Sequence, residues 1–333
     1  MAIKGTINNV AVCGMACAVP ADRIDNSNYV RLFGNDQMQK FEKMVGVKER
    51  RHVKVGDTTA DLAYAAALRL KNAGCWSCVN VDAVLFVSQT SNFLLPATAC
   101  MLQDRLGIKK DAVAYDINLG CSGFVYGIFS AASLIQMQGV NRVLLLGGDT
   151  ISKLTREEDP ASAPLFGDAG FAVVLERNEA AAPIHYAFMT DGSGASAIKA
   201  EHGGRLSMDG MDVFNFTINE VPDLIREALA SNGLAAEAVD YYVLHQANRF
   251  VLKQVALALD VSMKKVPVSM DRYGNTSSAS IPLTLCDLNS STPNLDTRKV
   301  LMAGFGVGLS WGALIADFDF GICKGIVEEG ASQ

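Results

Sequence analysis

The chain has 333 residues, half of them hydrophobic and 19% charged, with a formal net charge of -6. That length suits two domains of about 150 residues around a large core, and the acidic balance argues against a non-specific nucleic-acid binder, which needs a basic face. The eight cysteines lie scattered through apolar segments, as unpaired core thiols do in a reducing compartment, so a cytoplasmic protein is expected.

The first apolar stretch, Val10–Val19, alternates small and branched residues and has a single charge, Lys4, ahead of it. It reads as a β-strand rather than the apolar stretch of a signal peptide. Thr59–Ala73 is predicted to be a helix and Val81–Val87 a strand, with Cys75-Trp-Ser-Cys78 between them. A redox C-x-x-C follows a strand and opens a helix, the reverse of this order, and a zinc site needs two further ligands nearby. Ser122–Val140 contains no charged residue. It is predicted to be a buried helix and not a membrane span, because Gln136 and Gln138 are costly in lipid. Glu157–Pro160 and Asn289–Arg298 read as surface loops.

The two halves resemble one another at an offset of about 154 to 158 residues. Asp61–Gly74 followed by the strand from Val81 returns as Asp223–Gly233 followed by the strand from Val239. Arg142-Val-Leu-Leu-Leu-Gly-Gly148 returns as Lys299-Val-Leu-Met-Ala-Gly-Phe305, and each copy leads into a Gly-rich turn and an apolar strand. Continuously apolar strands alternating with helices indicate sheets covered on both faces. The expectation is an α/β fold of two repeated halves, residues 1–178 and 179–333, in five α-β-α-β-α layers. Ser122–Gln138, with no hydrophilic face, would lie in the middle layer, buried on all sides.

Three residues stand out for chemistry. Cys121 ends a strand-like segment and precedes that helix, where the helix dipole favours a thiolate and free main-chain N–H groups suit an oxyanion. Placement alone does not separate it from an inert buried cysteine. His245 ends an apolar strand, where site residues of open α/β sheets lie, although taken alone it reads more readily as a satisfied core histidine. His52, His185 and His202 lack that setting and read as surface or loop residues. Gly274-Asn275 has the form of a turn, but the repeat sets it near the place that Gly120-Cys121 holds in the other half. No carboxylate accompanies the three, which counts against hydrolysis of the papain kind.

With these residues in view, the whole chain resembles the β-ketoacyl-ACP synthase III family of thiolase-fold enzymes. The matching stretches are Gly46-Val-Lys-Glu-Arg-Arg-His52, Cys121-Ser-Gly-Phe124, Phe166-Gly-Asp168, His245-Gln-Ala-Asn248, Gly274-Asn-Thr-Ser-Ser-Ala-Ser-Ile-Pro282, and Gly304-Phe-Gly-Val-Gly308 before Trp311-Gly312. The resemblance implies a decarboxylative Claisen condensation without metal or organic cofactor. Cys121 would carry the acyl group, the N–H groups of Cys121 and Val307 would bind the oxyanion, and His245 and Asn275 would hold the malonyl thioester carbonyl. It also implies a homodimer and an acyl carrier protein as partner. Such a carrier is strongly acidic, so its docking site is expected to be locally basic, and Arg249, Lys253, Lys264 and Lys265 are predicted to form that patch.

The departures from the family pattern bear on substrate. Lys40-Phe-Glu-Lys-Met-Val45 replaces the Trp-Ile pair and arginine that grip coenzyme A, the arginine before Phe-Gly-Asp is replaced near Pro160, and Arg249 comes one place early with Phe250 behind it. Val307 stands where a glycine is usual. Leu95 takes the often-phenylalanine position that reaches the partner's acyl pocket, and Phe166 and Phe214 line the substrate path or pack the core. A carrier-protein thioester is therefore expected as donor in place of coenzyme A. The alternatives are an acyltransferase to a non-malonyl acceptor, a non-catalytic partner subunit and, on Cys75 and Cys78, a redox protein.

Overall fold

The computed structural model describes residues 1–201, 203–292 and 294–330, so His202 lies outside the described residues. Two sheets organise the chain. One has six strands, in the order Cys323–Glu329, Val10–Pro20, Ala169–Arg177, Arg142–Asp149, Ala83–Val87 and Val113–Ile117. The other has five, in the order Ile3–Ile7, Ile184–Thr190, Ser310–Phe318, Arg298–Gly306 and Tyr241–Leu244. The predicted repeat is visible as topology. In each sheet a strand pairs antiparallel with a second, the second antiparallel with a third, and the third parallel with a fourth. The sheets also exchange end strands: Ile3–Ile7 joins the second sheet and Cys323–Glu329 the first.

The apolar strands feed two cores at once because successive side chains point to opposite faces. From Arg142–Asp149, Val143 and Leu145 enter the core between the sheets, whereas Leu144 and Leu146 pack outward. The outer core of the first sheet includes Leu62 and Leu70 of the helix Thr59–Asn72. The outer core of the second includes Leu224 and Ile225 of Gly210–Ser231 and Val251 and Val255 of Arg249–Ala258. Between the sheets lie the helices Gly123–Ile135 and Ser280–Ser291, through Phe124, Val125, Ile128, Ile281 and Leu285. The result is the expected five layers. Each fully buried Leu, Ile or Phe contributes roughly 1.5–3 kcal/mol by leaving water.

Several expectations need correcting. The apolar helix ends at Ile135, before Gln138, and is not enclosed on every side: Ser133 is exposed and Phe129 half-buried. The helix expected over Asp223–Gly233 begins at Gly210 and runs through Pro222. The strand expected from Val81 begins at Ala83. Asn289–Arg298 is not all loop, since its first residues belong to Ser280–Ser291. Cys75 and Cys78 lie between helix and strand as predicted and are both unpaired, with Lys71 Nζ 3.0 Å from Cys78 Sγ. No described helix is long and apolar enough to cross a membrane.

Candidate active site

Cys121 sits in the turn between the strand Val113–Ile117 and the helix Gly123–Ile135. The strand Arg298–Gly306 runs directly against it. A Cβ on Gly306, whose φ is +151°, would lie 2.7 Å from Cys121 Cβ and 3.0 Å from its Sγ. Only glycine permits that approach, and it carries the Val307 N–H to the thiol. Asn275 is fixed by an isolated bridge to Phe166: its N–H donates to Leu165 O (2.9 Å) and its carbonyl accepts from Gly167 N–H (3.0 Å). Its side-chain Oδ1 accepts from Ser277 N–H at 2.9 Å. The amide Nδ2 makes no hydrogen bond among the described residues. His245 follows the strand Tyr241–Leu244, with Nδ1 2.8 Å from Ser280 Oγ and its ring edge-on to Phe305.

Cys121, His245, Asn275, Phe166, Phe214 and Val307 all line one cavity of about 900 Å³. The structure thus brings together all three residues singled out for chemistry and two of the four singled out for substrate. Arg249 and Leu95 do not line it. Arg249 is exposed at the start of its helix, and Leu95 is exposed beside Phe93 and Leu94, which do line it.

The electrostatics depart from expectation. Burial pushes the Cys121 thiol up to about 11 and the Asp149 charge adds to this, against the Ser277 hydroxyl and the N–H groups of Val307 and Cys121, which pull it down. The expected lowering by the helix terminus is overturned because the thiol is enclosed and a carboxylate stands close by. Burial likewise drives His245 down to about 3, so its imidazole is neutral at pH 7.

The expectation that no carboxylate accompanies the site also fails. Asp149, fully buried, accepts from Ser88 Oγ (3.1 Å), Gln89 N–H (2.8 Å), Thr90 Oγ1 (3.2 Å), Ser278 N–H (3.2 Å) and Ser278 Oγ (2.7 Å). It stands at the end of Arg142–Asp149, so the strand-end rule that singled out His245 would have found it. His52 is not a free surface residue either: it is half-buried and its Nε2 lies 3.0 Å from Phe166 O. It belongs to a clamp on the segment that pairs with Asn275. Arg50 donates to Pro164 O (2.6 Å), Arg51 O accepts from Asp168 N–H (2.8 Å) and Val53 N–H donates to Asp168 Oδ2 (2.9 Å). Among the described residues no cluster of three or more His, Cys, Asp or Glu could hold a metal ion.

The family model for 3-oxoacyl-[acyl-carrier-protein (ACP)] synthase III matches residues 115–205, and the model for its C-terminal part matches 229–318. The β-ketoacyl-[acyl-carrier-protein] synthase III of Staphylococcus epidermidis is 34% identical over 310 residues, 92% of this chain and 98% of that protein. The chain belongs to the β-ketoacyl-ACP synthase III family. The Clostridioides difficile synthase III is 32% identical over 320 residues, covering 91% of this chain and 97% of that one. The crystal structure of the 3-oxoacyl-(acyl-carrier protein) synthase from Burkholderia xenovorans superposes with a TM-score of 0.94 at 34% identity, over 98% of this chain and 99% of the other. This synthase is therefore a thiolase-fold acyltransferase that condenses an acyl thioester with a malonyl thioester, releasing carbon dioxide and a β-ketoacyl thioester. The expectations of a non-catalytic subunit and of a Cys75–Cys78 redox protein give way to that reading.

Proposed function

We propose that Cys121, His245 and Asn275 carry the condensation, and that the N–H groups of Cys121 and Val307 form its oxyanion hole. The observation that carries this reading is the convergence of all three side chains on one cavity with the Val307 N–H directed at the sulfur. In the first half-reaction the Cys121 sulfur attacks the acyl thioester carbonyl. Two N–H groups stabilise the tetrahedral oxyanion, and the thiol proton leaves with the departing thiol. The malonyl thioester then enters. The Asn275 Nδ2–H and the neutral His245 donate to its carbonyl oxygen. With Ser280 Oγ–H donating to Nδ1, the imidazole proton sits on Nε2. Carbon dioxide departs, the two donors stabilise the enolate, and its carbon attacks the acyl carbonyl on Cys121. The new C–C bond replaces the C–S bond, and the Cys121 thiolate leaves and takes a proton from solvent. Charge forms on oxygens that neutral donors reach and, as Cys121 departs, on its sulfur beside the same N–H groups, so the chemistry asks for no metal or organic cofactor.

The proposed partner is an acyl carrier protein that brings the malonyl group and, since the adenine-gripping residues are replaced, the primer too. Arg249 and Lys253 are exposed beside the cavity-lining Asn248 and Val251, which suits an acidic carrier. A homodimer is proposed from the outer strand Val113–Ile117, which among the described residues pairs on one side only. That strand exposes Val113 and Tyr115, and Phe93, Leu94 and Leu95 are exposed as well, apolar surface of the kind that a second copy covers. Eight unpaired cysteines fit a cytoplasmic location.

Intact-protein mass spectrometry tests the reading. An acyl adduct confined to Cys121 should form with a donor thioester and disappear as malonyl-carrier protein is consumed. An adduct that ignores malonyl thioesters would move the reading to transfer onto another acceptor.

A further inference from the structure

The cavity has two unlike walls. Towards the helices Gly210–Ser231 and Arg249–Ala258 it is lined by Val213, Phe214 and Val251, with the one hydroxyl of Thr217 among them. On the other side of Cys121, the segments following the strands Ala83–Val87 and Val113–Ile117 contribute three carboxamides, Gln89, Asn92 and Asn118. Among the described residues none of these side chains makes a hydrogen bond, and Asn92 Oδ1 is buried without a partner. A buried, unpaired amide oxygen costs roughly 1–3 kcal/mol unless a ligand meets it.

Gln89 is positioned rather than loose. Its N–H is held by Asp149, which also binds Ser88 and Thr90 on either side. Its carboxamide reaches the nucleophile's neighbour: a Cβ on Gly120 would lie 2.2 Å from Gln89 Oε1 and 3.1 Å from Ser277 Oγ, whose hydroxyl is 4.0 Å from Cys121 Sγ. The glycine immediately before the nucleophile leaves the space in which this amide lies. Among the described residues, these two segments contribute no lysine or arginine to the lining, and Lys153, which lines the cavity from the segment after Arg142–Asp149, has its Nζ on Asp57 O. That wall does carry Asp116, whose two oxygens accept the N–H groups of Thr98 and Ala99. An anionic acyl group is disfavoured there, whereas an amide, donor and acceptor at once, suits a neutral polar one.

We propose that the acyl group loaded onto Cys121 bears a neutral hydrogen-bonding substituent, a hydroxyl or a second carbonyl, which Gln89 binds with Asn92 and Asn118. The inference rests on the reading of Cys121 as the acyl carrier.

The test follows acylation of the full chain by intact mass, using butyryl, 3-hydroxybutyryl, acetoacetyl and succinyl pantetheine thioesters. At least one of the two neutral polar donors should load about tenfold faster than butyryl, the discrimination of roughly one good hydrogen bond. Gln89→Leu should bring that ratio close to one. Asn118→Ala, at an exposed position, should narrow it without endangering the fold. Butyryl loading as fast as both, succinyl loading fastest, or a ratio untouched in both variants would overturn the proposal while leaving the condensing function intact. Failure of every donor to acylate Cys121 would overturn the underlying reading together with it.

Discussion

Asp149 and Ser278 join the two halves of the molecule at the site: the carboxylate accepts the Ser278 hydroxyl at 2.7 Å and its N–H at 3.2 Å. Asp149 ends a strand of the first sheet, and Ser278 leads into the helix Ser280–Ser291 of the second half. The carboxylate is fully buried, and burial raises its pKa despite these donors. Its charge also opposes ionisation of Cys121. Asp149→Asn removes the charge and keeps the shape, so the midpoint for alkylation of Cys121 by iodoacetamide should move to lower pH. A midpoint unchanged or raised would contradict the electrostatic role. Asp149→Ala leaves several buried donors unpaired and should cost at least about 2–3 kcal/mol of stability, read by urea unfolding.

Two half-reactions separate the roles of the site residues. Cys121→Ser should abolish the acyl adduct. His245→Ala and Asn275→Ala remove the two donors proposed to act when the malonyl enolate forms. Each should leave acylation of Cys121 within a few-fold of the parent and slow decarboxylation by about 10²–10³-fold, the usual effect of losing one such donor. Equal losses in both half-reactions would argue against the assignment.

The neutral imidazole has a consequence for pH. His245 falls from an ordinary value of 6.5 to about 3 in the folded protein, through burial. Between those values the unfolded chain binds the extra proton, so the His245 contribution to stability is fully present above pH 6.5 and is lost as pH falls towards 3. The slope from this one group reaches at most about 1.4 kcal/mol per pH unit. His245→Asn should flatten urea-derived stability over that window. The decarboxylation rate of the parent should show no inflection near pH 6.5, because the donor keeps its proton count on both sides of it.

The repeat was legible because it rests on local pattern, apolar strands and Gly-rich turns recurring in order; that pattern marked the positions of Cys121, His245 and Asn275, but their roles came from the family resemblance. What escaped is made by contact between distant segments. Asp149 reads as the end of an ordinary strand until Ser278 closes on it. His52 reads as a surface residue until the clamp of 50–53 onto 164–168 is formed. The Cys121 thiol illustrates the same limit: the sequence shows a helix following it, but enclosure and the Asp149 charge depend on tertiary packing. Leu95 and Arg249 were placed by resemblance, and each faces outward from this chain, where only another molecule gives it a role.

The outer strand Val113–Ile117 supplies a test of assembly. Tyr115 is 37% exposed and Val113 47%, so a charge at either position would be tolerated by a monomer and not by a covered edge. Tyr115→Asp should sediment as a monomer, with unchanged far-ultraviolet dichroism, where the parent sediments as a dimer. A parent that sediments as a monomer would remove the proposal.

Of the four cations expected to greet an acidic carrier, Lys265 is already engaged within the chain: its Nζ donates to Glu237 O (2.8 Å) and Val239 O (2.7 Å), tying down the turn before Tyr241–Leu244. Arg249, Lys253 and Lys264 are exposed. Charge reversal at Arg249 and Lys253 should therefore raise KM for malonyl-carrier protein about tenfold or more and reduce its salt dependence. KM for a malonyl-pantetheine fragment, which does not need the patch, should move little. Lys265→Gln should act the other way round, lowering thermal stability while sparing the preference for carrier over fragment. If reversal at Arg249 and Lys253 weakens both substrates alike, the residues shape the cavity mouth and the carrier docks elsewhere.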